Sequence, residues 1–452
     1  MASGRRYGLT VLVAGVLATM VASLLASGGV AGYHLSAPSR TIAPGVFIGG
    51  IDVGGLTPAQ AKELVRQHLE PRLNLPVTFH YSSKQWSVRP KDFGAELRLD
   101  EAVQAAARIG QSSAQLDRVR ERLSVARTGV NVPVEVTVDE RKFEAWLETI
   151  DRAVGQAPVN ARLEPTLSGG VRIVPSKPGA RLDRTGLLQR FKEKALDTVS
   201  RNVWLTLAPV EAEFTTADAR ALGITQVIAA YTTRFDPLER NRTHNIHIAA
   251  AAIHGLVLAP GEEFSFNKVV GPRIEEAGFK EAPVVIDGEL VPDIGGGICQ
   301  VSSTLYNAVL LADLKVTQRI AHSIPSTYVP LGQDATVAYD YIDFRFKNDT
   351  GSPVMIGAFV QGDQLIVAFY GKEAPFRSAR LESELVRVLP REEVVVLRND
   401  LAPGEQRVVK EGREGYQVNV WRVAVTHDGR TVRELVSQTV YKPWRREVWT
   451  GV

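Results

Sequence analysis

The chain contains a single cysteine, Cys299, which follows three consecutive glycines, Gly295-Gly296-Gly297, and opens a stretch (VSSTLYNAVLLADL) with helical apolar spacing. Glycines before a helix let another group approach the backbone closely and leave the first N–H groups of the helix pointing into the loop. At such a position the helix dipole and free amides favour thiolate over thiol, which is the form that attacks a carbonyl carbon. The amides from Gly297 to Gln300 would also receive an oxyanion during acyl transfer. No Lys-Ser/Thr pair follows the glycines, which disfavours a nucleotide site.

A nucleophilic thiolate needs a base and an orienting group. His322, in Ala321-His322-Ser323, is the candidate base beyond the helix. The orienter is sought in AYDYIDFRF (338–346), whose alternation reads as a strand. Ala338, Ile342, Phe344 and Phe346 would form its apolar face, leaving Asp343 to face a cleft and Asp340 on the core side. The competing reading is a packed cysteine, a satisfied histidine and a tight turn in a domain that binds and does not react. His244, His247 and His254 share one helical face, but the helix lacks the adjacent Glu of an HExxH site, so no metal is expected.

The elements that would position these groups fall into several domains, as 452 residues exceed one ordinary unit. With 44% hydrophobic and 23% charged residues, each unit can bury a core. A net charge of +3 without a long Lys/Arg run gives no support for nucleic-acid binding. Residues 1–35 read as a cytoplasmic tip and transmembrane anchor: Arg5 and Arg6 precede an uncharged run, 7–33, longer than the ~20 residues a span requires. The remaining chain is expected outside the cytoplasm, where a lone cysteine cannot form an intramolecular disulfide.

Thr57-Pro58 reads as a helix start, and Ala61, Leu64, Val65 and Leu69 as its buried stripe. PKDFGA (90–95) and PSKPGA (175–180), each followed by a Leu-Asp pair, indicate two related α+β modules, 42–111 and 112–214. Residues 380–452 alternate as short strands around glycine turns and read as a separate all-β domain.

Three resemblances sharpen this outline. GVFIGGIDVGGLTPAQAKELV (45–65) resembles the peptidoglycan-binding domain that accompanies YkuD-type transpeptidases. Arg242 with Asn245, PGEEFSFN, GGGICQVSSTLYNAVL, AHSIPSTYVPLGQDATV and DFRFKN together resemble the VanW domain, over residues 223–375. Gly404, Gly412, Gly415, Gly429 and Gly451 resemble the five-glycine domain of wall and adhesion proteins, which is thought to bind N-acetylglucosamine-containing glycans.

The resemblance implies a cell-wall role, and some VanW domains are regarded as cysteine L,D-transpeptidases. It assigns Cys299 as nucleophile, His322 as base, Asp343 as orienter, and Gly297, Gln300 and Arg242 to the oxyanion and substrate. Peptidoglycan stem peptides and glycan strands are the implied partners, and thioester chemistry needs no cofactor. The expected fold class is α+β multidomain: a transmembrane helix, two α+β modules, an α+β VanW domain and an all-β C-terminal domain. Protease added to intact protoplasts should digest the chain beyond residue 35; protection of the whole chain excludes that topology.

Overall fold

The computed structural model describes residues 40–286 and 289–452. The expected anchor lies outside the described residues, and among those described no helix is long and apolar enough to cross a membrane. The chain forms two compact units, one from residues up to Ala157 together with Pro178–Val210, the other from Pro158–Lys177 together with Glu211–Val452.

In the first unit Thr57 caps the helix Pro58–Leu69, its hydroxyl accepting from Gln60 N while Gln60 Oε1 accepts from Thr57 N. Ala61, Val65 and Leu69 are buried and join Ile42, Val46, Ile48, Val103 and Val125 in one core. A second core is aromatic: Phe143 stacks on Phe191 with ring centroids 4.8 Å apart, and Phe93 meets both edge-on.

The boundary expected at residues 111 and 112 does not separate two cores. Val125 packs with residues 42–106, and Phe79 packs with Phe143 and Phe191. Parallel strands, which no hairpin can join, explain this mixing. Val130–Val132 pairs parallel with Val46–Ile48, and Asn202–Trp204 pairs parallel with Val77–Tyr81. The hairpin Arg162–Pro165 and Val171–Val174, expected in the second module, belongs to the second unit instead. Its Leu163 and Val171 pack against Met355 and Tyr370, and the Tyr370 hydroxyl donates to Thr166 O at 2.7 Å.

The second unit is built on a four-stranded antiparallel sheet in the order Gln226–Arg234, Gln364–Gly371, Val354–Gln361, Val257–Leu258. The helices Arg240–Ile253 and Ile298–Leu311 pack on it. The second helix is buried on nearly every side, as its high apolar content requires. Its Val301, Leu305 and Val309 share a core with Ile246, Phe344, Phe346, Val367 and Phe369.

The strand expected at 338–346 forms only over Arg345–Lys347. Ala338 and Ile342 instead close a tight turn in which Asp340 takes a φ of +64° and is exposed.

The C-terminal segment is all strand: Ser378–Leu389, Gly415–Val425 and Thr431–Tyr441 make one sheet, and Glu393–Arg398, Arg446–Gly451 and Gln406–Lys410 another. It is not detached from the preceding domain. The buried Arg422 donates to Leu310 O at 2.7 Å and pairs with Asp313 and Glu434.

Phe143→Ala should cost the first unit about 3–5 kcal/mol through the lost transfer energy and the cavity it leaves. A denaturant titration should show one transition shifted, while Cys299, in the second unit, keeps its native alkylation rate. Joint collapse of both units would contradict the division.

Candidate functional site

The Cys299 helix begins from a loop with no room for side chains. A Cβ on Gly296 would lie 2.6 Å from Pro283 O, and Gly297, at φ +102°, would bring one within 2.9 Å of Arg242 Cγ. The space that the glycines leave is thus filled by the protein itself. Asn245 clamps the same loop, donating to Lys280 O and Gly296 O and accepting from Lys280 N.

Arg242 Nη2 donates to Gln300 Oε1 at 2.6 Å, and Gln300 Nε2 donates to Thr233 Oγ1 and Arg234 O. Both side chains, expected at an oxyanion or substrate, therefore anchor the helix start. Gln300 N also turns back to Gly297 O at 3.1 Å. Among the described residues, the Cys299 N–H makes no backbone hydrogen bond, as befits the second position of a helix.

Cys299 is partly buried against the main core, with Sγ 3.5 Å from Val337 O. His322 is close enough to act on the sulfur. The other side of the imidazole is fixed: Asp334 Oδ2 accepts from His322 Nδ1 and from His322 N, both at 2.6 Å. That leaves Nε2 for the sulfur. Oδ1 of Asp334 accepts from the Tyr441 hydroxyl and from Arg319 Nη2 at 3.2 Å.

These contacts set the charges. Burial alone would push the Cys299 thiol up, but the hydrogen bond and positive charge of His322, helped by the Val337 backbone and Arg273, bring it below the usual thiol range. Burial would lower His322; its hydrogen bonds and attraction to Asp334 and Cys299 raise it to about 10. Asp334 stays below the usual carboxylate range despite burial, because His322 and Tyr441 donate to it. Asp334 thus favours the charged form of His322, and His322 favours the thiolate of Cys299. Tyr328 lies beside the pair, its ring edge-on to His322 at 6.5 Å, and burial together with the Cys299 charge keeps its hydroxyl protonated.

Of the expected triad, Cys299 and His322 come together and Asp343 does not join them. Asp343 accepts from Ser265 Oγ at 2.6 Å, Asn267 N at 2.9 Å and Arg345 Nε at 2.7 Å, fixing the turn after Ser265. It lines an open cleft of about 590 Å³ with Tyr339, Asp340 and Arg345, but the carboxylate on His322 is Asp334. Strand alternation misdirected the assignment because the segment is a turn. The available signal for Asp334 was a lone carboxylate between Gln333 and the uncharged stretch Ala335-Thr336-Val337. Arg319, Tyr328 and Tyr441 carried no comparable mark. His244 and His254 each bond a backbone carbonyl, of Gly278 and Ala358.

The family model described as "VanW like protein" matches residues 241–370, which contain the glycine loop, Cys299, His322 and Asp334. Over 254 residues the chain is 36% identical to "Uncharacterized protein YoaR" of Bacillus subtilis, covering 55% of this chain and 82% of that protein. The chain belongs to the VanW family. It is also 30% identical over 151 residues to "Vancomycin B-type resistance protein VanW" of Enterococcus faecalis, across 32% of this chain and 55% of that one.

Two further models flank the VanW region: "Putative peptidoglycan binding domain" at 86–203 and "G5 domain" at 382–450. A solved structure titled "IgA1 Protease G5 domain structure" is 28% identical over 17% of this chain and 90% of its own, with a TM-score of 0.14.

The charge state of the VanW site has a measurable signature. Since the folded pKa of His322 exceeds its unfolded value near 6.5, its contribution to stability is full below about 6.5 and fades as pH rises through about 10. Iodoacetamide should alkylate Cys299 at a rate that stays nearly level as pH falls from about 9 to about 7. In His322→Ala the rate should drop about tenfold per pH unit below the ordinary thiol range. A wild-type rate that falls just as steeply would exclude the ion pair.

Proposed function

We propose that this VanW-family chain is a cysteine L,D-transpeptidase of the cell wall, held at the membrane by its N-terminal segment with the remainder outside the cytoplasm. The observation that carries the reading is Cys299 at a helix start with His322 beside it and Asp334 bonded to the far nitrogen of the ring, an arrangement that favours thiolate and imidazolium.

The Cys299 thiolate attacks the carbonyl carbon between the third stem residue and D-alanine. The oxyanion that forms meets the free Cys299 N–H, and the Tyr328 hydroxyl stands protonated beside it. His322 Nε2 gives its proton to the departing amine, the C–N bond breaks, D-alanine leaves and a thioester remains. An acceptor amine then attacks the thioester, passes its proton to His322 and releases the thiolate as the new amide forms. Asp334 holds the ring in one orientation throughout and stabilises its charged form.

The peptidoglycan-binding and G5 matches on either side support a chain that also grips glycan strands while the VanW domain reacts.

Incubated with a tetrapeptide stem, the wild-type chain should release D-alanine and carry a thioester on the peptide containing Cys299. Cys299→Ser and Cys299→Ala should fold normally and do neither, and His322→Ala should be slower by a factor on the order of 10² to 10⁴. D-alanine release that persists in the folded Cys299→Ala variant would overturn the reading and leave a non-catalytic wall-binding protein.

A further inference from the structure

Arg273 follows the turn Gly271-Pro272, and its stem runs against the glycine loop: a Cβ on Gly295 would lie 3.1 Å from Arg273 Cβ and 3.2 Å from Cγ. The guanidinium sits over the faces of Phe266 at 5.7 Å and Tyr339 at 5.6 Å. Nη1 donates to Gly271 O at 3.0 Å. Nη2 is shielded from water and, among the described residues, has no hydrogen-bond partner.

A charged donor removed from water and left unbonded costs free energy, so its position calls for an acceptor from outside the chain. The nearby carboxylates do not supply one. Asp343 is engaged by Ser265, Asn267 and Arg345, and Asp340 acts on Arg273 only through its charge. Tyr339, whose ring Arg273 covers, is two residues from Val337, whose carbonyl lies 3.5 Å from Cys299 Sγ, and Arg273 feels the Cys299 charge.

We propose that Arg273 binds the terminal carboxylate of the acyl donor, beside the bond that Cys299 breaks, and so confines the site to the last peptide bond of a chain with a free C-terminus. This rests on Cys299 being the nucleophile. In such a donor the carboxylate is three bonds from the attacked carbon, so one anchor fixes the other. The planar fork of arginine suits a carboxylate. A phosphate would bring a second negative charge beside the Cys299 thiolate, Asp340 and Asp343, and is disfavoured.

The test compares iodoacetate, which carries a carboxylate, with neutral iodoacetamide on full-length wild type, Arg273→Met and Arg273→Lys. The iodoacetamide rate reports any change in the thiol itself, and the ratio of iodoacetate to iodoacetamide rates should fall about tenfold in Arg273→Met and less in Arg273→Lys. If both rates fall together, Arg273 only favours the thiolate and the proposal fails.

In parallel, a tetrapeptide stem and its C-terminal amide are compared as donors. Wild type should favour the free acid through KM, and Arg273→Met should lose that preference. Equal turnover of both donors by wild type overturns the carboxylate site and leaves the transpeptidase reading standing. An Arg273-dependent iodoacetate preference without turnover of either donor supports the site and overturns that reading.

Discussion

Asp334 is the group on which the rest of the site depends. Its carboxylate is almost wholly buried, and a buried charge is tolerated only when donors converge on it. They come from two segments: the backbone and ring of His322 with the guanidinium of nearby Arg319, and the hydroxyl of the remote Tyr441. Satisfied in this way, Asp334 favours the charged form of His322, and His322 in turn favours the thiolate of Cys299. The helix start and the glycine loop bring the sulfur to this chain of charges, but the charges originate at the carboxylate.

Two of these donors tie the chemistry to distant sequence. Arg319 also donates to Thr439 at 2.8 Å, and Tyr441 comes from the last long strand of the C-terminal segment. That segment matches a G5 model of its own, yet it forms part of the wall behind the His322 carboxylate. Domain boundaries drawn from repeats and glycine turns therefore mark where sequence character changes, and the site cuts across one of them.

Much of the site was legible because Cys299, His322 and the glycine loop announce themselves by residue type and local spacing. The capped helix at Thr57 was legible for the same reason, with Ala61, Val65 and Leu69 of the expected stripe buried and Leu64 only partly so. What escaped depended on contacts between segments far apart. Asp343 was favoured over Asp334 because an alternating pattern was read as a strand, whereas Asp340 takes a left-handed conformation and the segment turns back on itself. The repeated PKDFGA and PSKPGA segments pointed to two successive modules. Parallel pairing interleaves them, and the hairpin Arg162–Pro165 and Val171–Val174 packs on the following domain through Tyr370, a partner that no local pattern reveals.

That interleaving also governs when the first unit can exist. His80 and Asn202, which bond across the parallel pair, are 122 residues apart in the chain. A polypeptide emerging N-terminus first cannot close the aromatic core around Phe79 until Val203 has followed, so the strand Val77–Tyr81 waits with one edge unpaired while the chain lengthens. The core of such a unit is complete only when the last of these segments has been made.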